Sequence, residues 1–266
     1  MNEIISIVIL TKNEEKNIKK CLDAVVWCNE IIVIDDYSTD KTIELVHKVL
    51  KVHKVYKVLQ RKLDGDFAAQ RNFGLEKASG EWVLFVDADE VISEKLASEI
   101  KSQISSATRQ LTGRIKANNI SGFYLKRKDY FLGKWLKHGE TANVKLLRLG
   151  RKNTGRWQGR VHETWEIKGK VGELKNPILH YPHQTVAMFL KDINWYTDVV
   201  AQYWLEQGRK IATWEIVCYP LGKFLQNYII RLGILDGTAG LIMAFMMSFH
   251  SFLVRGKVFL LQHKNG

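Results

Sequence analysis

The sequence is poor in cysteine and has no recognisable export signal. Its 266 residues include only three cysteines, Cys21, Cys28 and Cys218, an odd number without the spacing of metal ligands. This composition argues against a disulfide framework and favours a reducing, cytoplasmic setting. The N-terminus lacks the basic start and long apolar stretch of a signal peptide. A chain of this length can bury enough apolar surface to fold without a disulfide or a structural metal.

Several motifs that would identify a nucleotide-binding or nucleic-acid-binding protein are also missing. The segment ILTKNEE, which follows the first predicted strand, contains neither G-x-G-x-x-G nor G-K-[ST]. Rossmann dinucleotide binding and P-loop chemistry are therefore disfavoured. Zinc-finger spacing, an RNP-like motif and a homeodomain-like helix are absent as well. We find no internal repeat and no low-complexity segment.

The positive charge is concentrated in the middle of the chain. The formal net charge is +12, and residues 101–160 alone contain 15 Lys and Arg against two Asp and Glu. Such a segment attracts polyanions, namely nucleic acid, an anionic membrane face or phosphorylated sugars. The alternative is a basic surface that serves only solubility.

The first hundred residues alternate between apolar β-like runs and helical patterns. Four strands are predicted, at residues 4–10, 31–34, 55–59 and 82–86. This alternation predicts a mostly parallel sheet with helices on both faces. We expect a polar loop at 105–119, and then mixed or antiparallel strands at 122–132 and 144–149 that extend the sheet at one edge.

The last third of the chain is predicted to be helical. Apolar residues spaced by three and four from 211 to 232 indicate an amphipathic helix that is kinked at Pro220. Residues 240–254 are apolar nearly all round, but they fall short of the roughly 20 residues that span a bilayer. We interpret 210–260 as basic-flanked helices that lie in a membrane interface. The alternative is a helical hairpin buried against the rest of the protein or against a dimer mate.

Polar groups follow three of the predicted strands. They are Thr11 to Glu14, Asp35 to Asp40, and Asp87 to Glu90. Since ligands of open α/β sheets bind beyond the carboxyl ends of the strands, these groups are expected to converge. Acids gathered without a partner repel one another, and Mg²⁺ or Mn²⁺ bound with a diphosphate would relieve that repulsion. The alternative for FVDADE alone is a turn with solvated acids.

Four stretches carry a resemblance to a known family. They are SIVILTKNEE, IIVIDDYSTDKT, FAAQRNFGLEKASGEWVLFVDADE and GRVHETW. The chain resembles inverting family 2 glycosyltransferases of the GT-A fold, and is most similar to the lipopolysaccharide-core β-glucosyltransferase-like group, which shares an LGILDG-like turn. The resemblance implies an α/β fold with a mostly parallel, mixed sheet flanked by helices. It implies a catalytic domain at 1–182 and a C-terminal amphipathic and hydrophobic helical, membrane-interface segment at 183–266.

The resemblance also implies roles in donor binding. The nucleotide pocket would be lined by Thr11, Asn13 and Glu14. Asp36 would contact the uracil or the ribose, and Arg71 would face the base or the diphosphate. A guanidinium also suits a diphosphate because it forms forked, charge-assisted hydrogen bonds. The alternative for Arg71 is an ion pair on the surface of a helix.

A metal site is implied in the same way. Asp89 would ligate a divalent cation, Mg²⁺ or Mn²⁺, and Asp87 would touch the ribose or the cation. His162 would steady the cation or the diphosphate, although a histidine that bonds backbone is nearly as good an interpretation. His180 and His183 flank Pro182, have no third ligand, and are expected to be structural.

An inverting transfer needs one base to remove the proton of the acceptor hydroxyl. By resemblance, that base is Glu163, with Glu90 and Glu140 as reserve candidates. The alternative for Glu163 is a surface acid on an edge strand.

The predicted function is transfer of a sugar from a nucleotide-sugar, expected to be a UDP-sugar, to a lipopolysaccharide-core or other lipid-linked glycan. The predicted location is the cytoplasmic surface of the inner membrane. The stretch 123–137 could stack on a sugar acceptor or lie against anionic headgroups, and HGETAN at 138–143 departs from the family pattern. The alternatives are a polyprenyl-phosphate sugar transferase and, outside enzymes, a basic nucleic-acid-binding protein, although no nucleic-acid partner is expected.

Overall fold

The computed structural model describes residues 4–53, 55–111, 120–183 and 185–264. The chain forms two compact units. The sheet unit comprises Met1–Arg127 and Lys145–His180, and the helical unit comprises Lys128–Val144 and Tyr181–Gly266. The functional division predicted between residues 182 and 183 stays a prediction.

Twelve strands are found in the described residues. They are β1 Ile5–Thr11, β2 Glu30–Asp35, β3 Tyr56–Gln60, β4 Trp82–Asp87, β5 Glu90–Val91, β6 Ile120–Phe131, β7 Lys134–Trp135, β8 Lys145–Arg151, β9 Gly155–Gln158, β10 Thr164–Ile167, β11 Lys170–Glu173 and β12 Ile178–His180. The α-helices are α1 Ile18–Asp23, α2 Thr42–Leu50, α3 Phe67–Lys77, α4 Glu94–Leu111, α5 Val186–Glu206, α6 Thr213–Leu225 and α7 Gly237–Lys264.

The main sheet has the strand order β3-β2-β1-β4-β8-β6-β12-β5. The pairs β1–β2, β1–β4 and β2–β3 are parallel, while β8 pairs antiparallel with both β4 and β6. β9 and β10 form a separate antiparallel pair. The predicted α/β class is therefore confirmed, as a mixed sheet that is parallel from β3 to β4 and is extended by antiparallel strands.

Both faces of the central strands are buried, which explains why β1, β2 and β4 are continuous apolar runs. On one face, Ile7 and Ile9 join a core with side chains from α1, α2 and α4. On the other, Val8 and Phe85 pack with α3 and with Trp157. α3 lies so close to β1 that a Cβ on Gly74 would come within 2.4 Å of Val8 Cγ1.

One predicted loop is helical instead. α4 continues to Leu111, so the prediction of a polar loop is wrong for residues 105–111. Residues 112–119 lie outside the described part of the chain. The helix continues because Ile104 and Ala107 extend its apolar stripe and are buried in the core.

In the helical unit, α5 is capped by Thr185, whose Oγ1 accepts a hydrogen bond from Met188 N at 3.1 Å. α6 contains Pro220 and is followed by a π-helical turn, Gln226–Ile230. A short 3₁₀ turn, Gly233–Asp236, then leads into α7.

α7 is 28 residues long. The prediction that the C-terminal apolar helix is too short to span a bilayer is therefore wrong, because Gly233–His263 has the length and composition required.

Candidate active site

The polar ends of three strands meet at one edge of the sheet. In the parallel register, Thr11 of β1 lies opposite Asp35 of β2, and Leu10 lies opposite Asp87 of β4. The carboxyl ends of these strands therefore point the same way, where open α/β sheets bind ligands.

The loops that follow β1 and β2 are joined by side-chain hydrogen bonds. Asn13 N donates to Ser38 Oγ at 2.9 Å, and Asn13 Oδ1 accepts from Thr39 N at 2.8 Å. Glu14 N donates to Thr42 Oγ1 at 2.7 Å. Asn13 has a φ of 54°, a conformation that asparagine tolerates better than most residues. Asn13 and Glu14 are thus held in place at the edge of the sheet.

Asp36 is buried and fixed by two donors. Its Oδ2 accepts from Lys12 Nζ at 2.6 Å, and its Oδ1 accepts from Leu63 N at 3.1 Å. The backbone N–H of Asp36 donates to Thr11 O at 2.9 Å. Thr11 Oγ1 is buried without a hydrogen-bond partner among the described residues. A buried hydroxyl without a partner is costly, so a bound ligand is a natural partner for it.

Asp87 lies between two buried arginines. Arg71 Nη2 donates to Asp87 Oδ1 at 3.0 Å, while Arg148 donates to both carboxylate oxygens, at 2.8 and 3.2 Å. Burial alone would raise the pKa of Asp87, but the guanidinium groups of Arg148 and Arg71 outweigh it and hold this pKa well below its usual range. Both oxygens of Asp87 therefore already have cationic partners.

Arg71 also connects Asp87 to the candidate base. Arg71 Nε donates to Glu163 Oε1 at 2.7 Å, and the side chain of Glu163 is 14% exposed. The guanidinium lies 5.0 Å from the ring centre of Trp157, which itself stacks on Trp165 at 5.5 Å. The Arg71 side chain is only 3% exposed, and electrostatic interactions are stronger where water is excluded.

Asp89 has a histidine partner. His180 Nε2 lies 3.1 Å from Asp89 Oδ2, because β12 pairs antiparallel with β5 and places His180 opposite Glu90. Burial would raise the pKa of Asp89, but His180 outweighs it and lowers this pKa. Sequence reasoning assigned His180 a structural role, because no third ligand accompanied His180 and His183 in the sequence.

The donor atoms suit a cation that is shared with a phosphate ligand. Among the described residues, no group of three or more His, Cys, Asp and Glu side chains could hold a metal ion on its own. Asp89 offers a carboxylate oxygen, and His180 Nε2 already contacts that carboxylate at 3.1 Å. Mg²⁺ is usually bound by one or two carboxylates together with substrate phosphates. His162 is exposed and lies in the loop next to Glu163. The assignments of His162 and Asp87 as metal ligands stay predictions.

The three candidate bases have different surroundings. Glu90 is fully buried, and its Oε2 accepts from Asp87 N at 2.9 Å. Burial and the nearby Asp87 raise the pKa of Glu90. Glu140 belongs to the helical unit and pairs with Lys223 at 2.7 Å. Only Glu163 combines partial exposure with direct contact to Arg71.

Comparison with known proteins identifies the family. The model of glycosyl transferase family 2 matches residues 6–197. The chain belongs to glycosyl transferase family 2. One relative is the lipopolysaccharide core biosynthesis glycosyltransferase LpsC of Rhizobium meliloti (strain 1021). It is 28% identical over 260 residues, and the match covers 96% of this chain and 92% of LpsC. An uncharacterised glycosyltransferase of Rickettsia typhi is 26% identical over 266 residues, covering 96% of this chain and 86% of its own.

Solved structures support the GT-A fold. The mannosyltransferase PcManGT of Pyrobaculum calidifontis, solved with GDP-Man and Mn²⁺, matches with a TM-score of 0.50 and 12% identity, covering 97% of this chain and 87% of PcManGT. TarS of S. aureus matches with a TM-score of 0.50 and 16% identity, covering 98% of this chain and 55% of TarS. The expected family and fold are confirmed, and the chain is a glycosyltransferase.

Proposed function

We propose that this family 2 glycosyltransferase moves a sugar, with inversion, from a UDP-sugar to a lipopolysaccharide-core or other lipid-linked glycan at the cytoplasmic face of the membrane. The observation that carries this proposal is the chain of contacts from Glu163 through Arg71 to Asp87, at the same sheet edge as Asp36. A candidate base and a cationic group at this edge support the proposal, because the nucleotide is expected to bind there.

The nucleotide of the donor would lie against the ends of β1 and β2. Thr11, Asn13 and Glu14 would line its pocket, and Asp36 would accept hydrogen bonds from the uracil or the ribose. The fixed position of Asp36, held by Lys12 and by the backbone of Leu63, supports this role because a rigid acceptor loses little entropy on binding.

Asp89, which His180 holds in position, is the residue that would bind a divalent cation together with the donor diphosphate. When bound there, the cation would neutralise negative charge on the leaving diphosphate. Arg71 would contribute a second positive charge near the same group. The Mn²⁺ and GDP-Man named for the PcManGT complex agree with this arrangement.

Glu163 would act as the base. The acceptor oxygen attacks the anomeric carbon from the side opposite the diphosphate, a carbon–oxygen bond forms, and the bond to the phosphate oxygen breaks. The hydroxyl proton passes to Glu163. Because protonation removes the negative charge that Arg71 now faces at 2.7 Å, the guanidinium charge becomes more available to the departing diphosphate.

A membrane-associated acceptor is supported by the helical unit. Large apolar side chains are exposed there, including Trp214, Leu221, Ile230, Leu235 and Phe245. An exposed apolar surface of this kind, flanked by basic residues, suits a membrane interface. The function named for LpsC, lipopolysaccharide core biosynthesis, agrees with such an acceptor.

The spanning length of α7 keeps one alternative open, a polyprenyl-phosphate sugar transferase. The two functions differ in the acceptor, which would be a lipid phosphate instead of a glycan hydroxyl. Transfer to phosphorylated polyprenol, without transfer to a glycan, would replace our proposal. The family assignment leaves no ground for the nucleic-acid-binding alternative.

The catalytic part of the proposal can be tested with nucleotide sugars and Mn²⁺ or Mg²⁺. We expect Glu163→Gln to lower kcat by about 10²–10⁴-fold while donor binding, measured by thermal shift, is retained. Asp89→Asn should weaken the response to the cation. Glu166→Gln, at an exposed position on β10, is the matched control and should behave like the unmodified enzyme. An unchanged kcat for Glu163→Gln would refute the assignment of the base.

The membrane part can be tested separately by cosedimentation with anionic phospholipid vesicles. Ile230 is 75% exposed, and we expect Ile230→Glu to reduce vesicle binding by about tenfold, since it removes one apolar side chain and adds a repelled charge. Val52→Glu is the control, because Val52 is 90% exposed in the sheet unit. Equal losses for both variants would contradict a specific role of the helical unit.

A further inference from the structure

Two segments that have no role in the donor chemistry meet in the helical unit. They are HGETAN at 138–143 and LGILDG at 232–237. His138 N donates to Asp236 Oδ2 at 2.8 Å, and Gly139 N donates to Arg231 O at 2.9 Å. Glu140 adds an ion pair with Lys223 at 2.7 Å. The loop that follows β7 is therefore held by polar contacts in a unit whose core is otherwise apolar.

Asp236 fixes the orientation of His138. Its side chain is 5% exposed, and Oδ2 also accepts from Lys137 N at 3.0 Å. Oδ1 lies 3.1 Å from His138 Nδ1. Burial would raise the pKa of Asp236, but His138 and the two backbone N–H groups outweigh it and lower this pKa. An ionised carboxylate accepts the Nδ1 proton, so the lone pair of a neutral imidazole is at Nε2.

The Nε2 atom of His138 is left for a ligand. The side chain is 29% exposed, and Nε2 has no hydrogen-bond partner among the described residues. His183 offers a comparison in the same unit, with Nδ1 at 2.9 Å from Asp192. Asp192 is 53% exposed, however, and the His183 ring stacks on Phe189 at 4.0 Å, which is a packing contact.

An aromatic cluster lies on the β6–β7 hairpin, which precedes His138 in the chain. Tyr130 and Trp135 are paired across β6 and β7, and Tyr181 contacts both rings, with centroids 5.1–5.5 Å apart. Lys128 Nζ lies 5.2 Å from the Trp135 ring centre. The three rings are each partly exposed. We call these four residues, together with His138, the hairpin surface.

We propose that the hairpin surface binds the acceptor glycan, with a sugar hydroxyl donating to His138 Nε2, sugar faces packing on the aromatic rings, and Lys128 facing an anionic group of the glycan. This inference rests on the proposed function and assigns the acceptor side, which no residue above explains. Aromatic walls with a few oriented polar groups are typical of sites for small polar ligands. A glycan is favoured over lipid headgroups because a phosphate offers hydrogen-bond acceptors, whereas the Nε2 of a neutral His138 needs a donor such as a sugar hydroxyl.

The experiment uses the full chain and a defined probe, the phosphorylated core oligosaccharide obtained by deacylating a truncated lipopolysaccharide. Binding is measured by isothermal titration calorimetry without a nucleotide sugar. We expect His138→Asn to weaken binding about tenfold, since asparagine can still donate to Asp236 but lacks an atom at Nε2. His183→Asn is the matched control, and its binding should be unchanged. Thermal unfolding should show that both variants remain folded.

A second measurement separates this inference from the proposed function. Hydrolysis of the nucleotide sugar by water needs the donor site alone, so His138→Asn should hydrolyse the donor at the normal rate. The inference is overturned if the unmodified chain does not bind the oligosaccharide, if both histidine variants weaken binding equally, or if His138→Asn loses vesicle binding instead. Failure of the unmodified enzyme to turn over any nucleotide sugar would count against the proposed function, and the calorimetry would still decide the role of the hairpin surface.

Discussion

Glu30 allows a quantitative test of the electrostatics of the sheet unit, away from the candidate active site. It is the first residue of β2, at the opposite end of the strands from Asp35, and its side chain is 2% exposed. Its Oε1 accepts from Lys57 Nζ at 2.7 Å, and its Oε2 accepts from Ser6 Oγ and from Ser79 N. One carboxylate therefore links three strands and the loop that precedes β4.

The magnitude of this contribution follows from the pKa of Glu30. Burial alone would raise it, but the hydrogen bonds from Lys57, Ser6 and Ser79 outweigh burial and lower the pKa from 4.5 to about 2. At about 1.36 kcal/mol per pH unit, this difference stabilises the folded state by about 3 kcal/mol at neutral pH. Because the pKa is lowered on folding, the stabilisation is present above the unfolded-state pKa and is lost as the pH falls through the folded-state value.

The assay is urea unfolding of the unmodified chain and of Glu30→Gln at several pH values. We expect the variant to be less stable by about 3 kcal/mol at pH 7, and the difference to shrink to about 1 kcal/mol near pH 3. Glu76→Gln is the control, because Glu76 and its partner Arg156 are each more than 60% exposed. Such a surface pair is worth about 0–1 kcal/mol at either pH.

A difference between Glu30→Gln and the unmodified chain that is the same at pH 7 and pH 3 would refute this reasoning. It would mean that the loss comes from altered packing and not from the ionised carboxylate. Nucleotide-sugar turnover under native conditions should be unchanged in Glu30→Gln, since the residue lies at the other end of β2 from the candidate site.

Two further predictions concern α3 and the arginine pair. Gly74→Ala should destabilise the chain by about 1–3 kcal/mol in urea unfolding, because the new Cβ would lie 2.4 Å from Val8 Cγ1. The control is Gly222→Ala on α6, which should be neutral or slightly stabilising because its Cβ would meet no described atom within 4 Å. Equal losses of stability in the two variants would contradict the argument. Arg148→Lys keeps the positive charge but loses the bidentate contact with Asp87, so kcat/KM for the donor should fall about tenfold in a hydrolysis assay. An unchanged kcat/KM would show that the orientation of Asp87 does not matter.

The sheet and the strand ends were predictable because their signals are local. β1, β2 and β4 are continuous apolar runs, and each ends in a polar residue, Thr11, Asp35 or Asp87. Strands that alternate with helices must run parallel, so their polar ends meet at one edge. The convergence of Asp36, Asp87 and Arg71 therefore followed from the pattern and the resemblance together.

The partners of these residues were not predictable in the same way. Arg148 and His180 reach Asp87 and Asp89 only because β8 and β12 pair antiparallel with strands far away in the sequence. One signal for Arg148 was present, since a charged residue in the run VKLLRL must be paired if the strand is buried. His180 had no comparable signal, because its strand has only three residues.

The length of α7 was underestimated because polar residues were treated as ends of the apolar segment. In the structure several polar groups of this helix have partners inside the helical unit. Ser248 Oγ donates to Pro220 O at 2.8 Å, and Arg255 Nη1 donates to Ser251 Oγ at 2.7 Å. Arg255 also lies 4.1 Å from the ring centre of Tyr219. The helix therefore continues through positions that hydropathy alone would have excluded.

This packing bears on how α7 would meet a membrane. One face of the helix is buried against its own unit, at Ala239, Met243, Met246, Val254 and Val258, and the opposite side exposes Phe245, Phe249, Phe252 and Leu260. Only 39% of its most apolar stretch is buried. A lone spanning helix would contact lipid all round, whereas α7 has one face occupied by protein. Its length therefore permits a span, and its two distinct faces agree with the proposed orientation along the membrane surface.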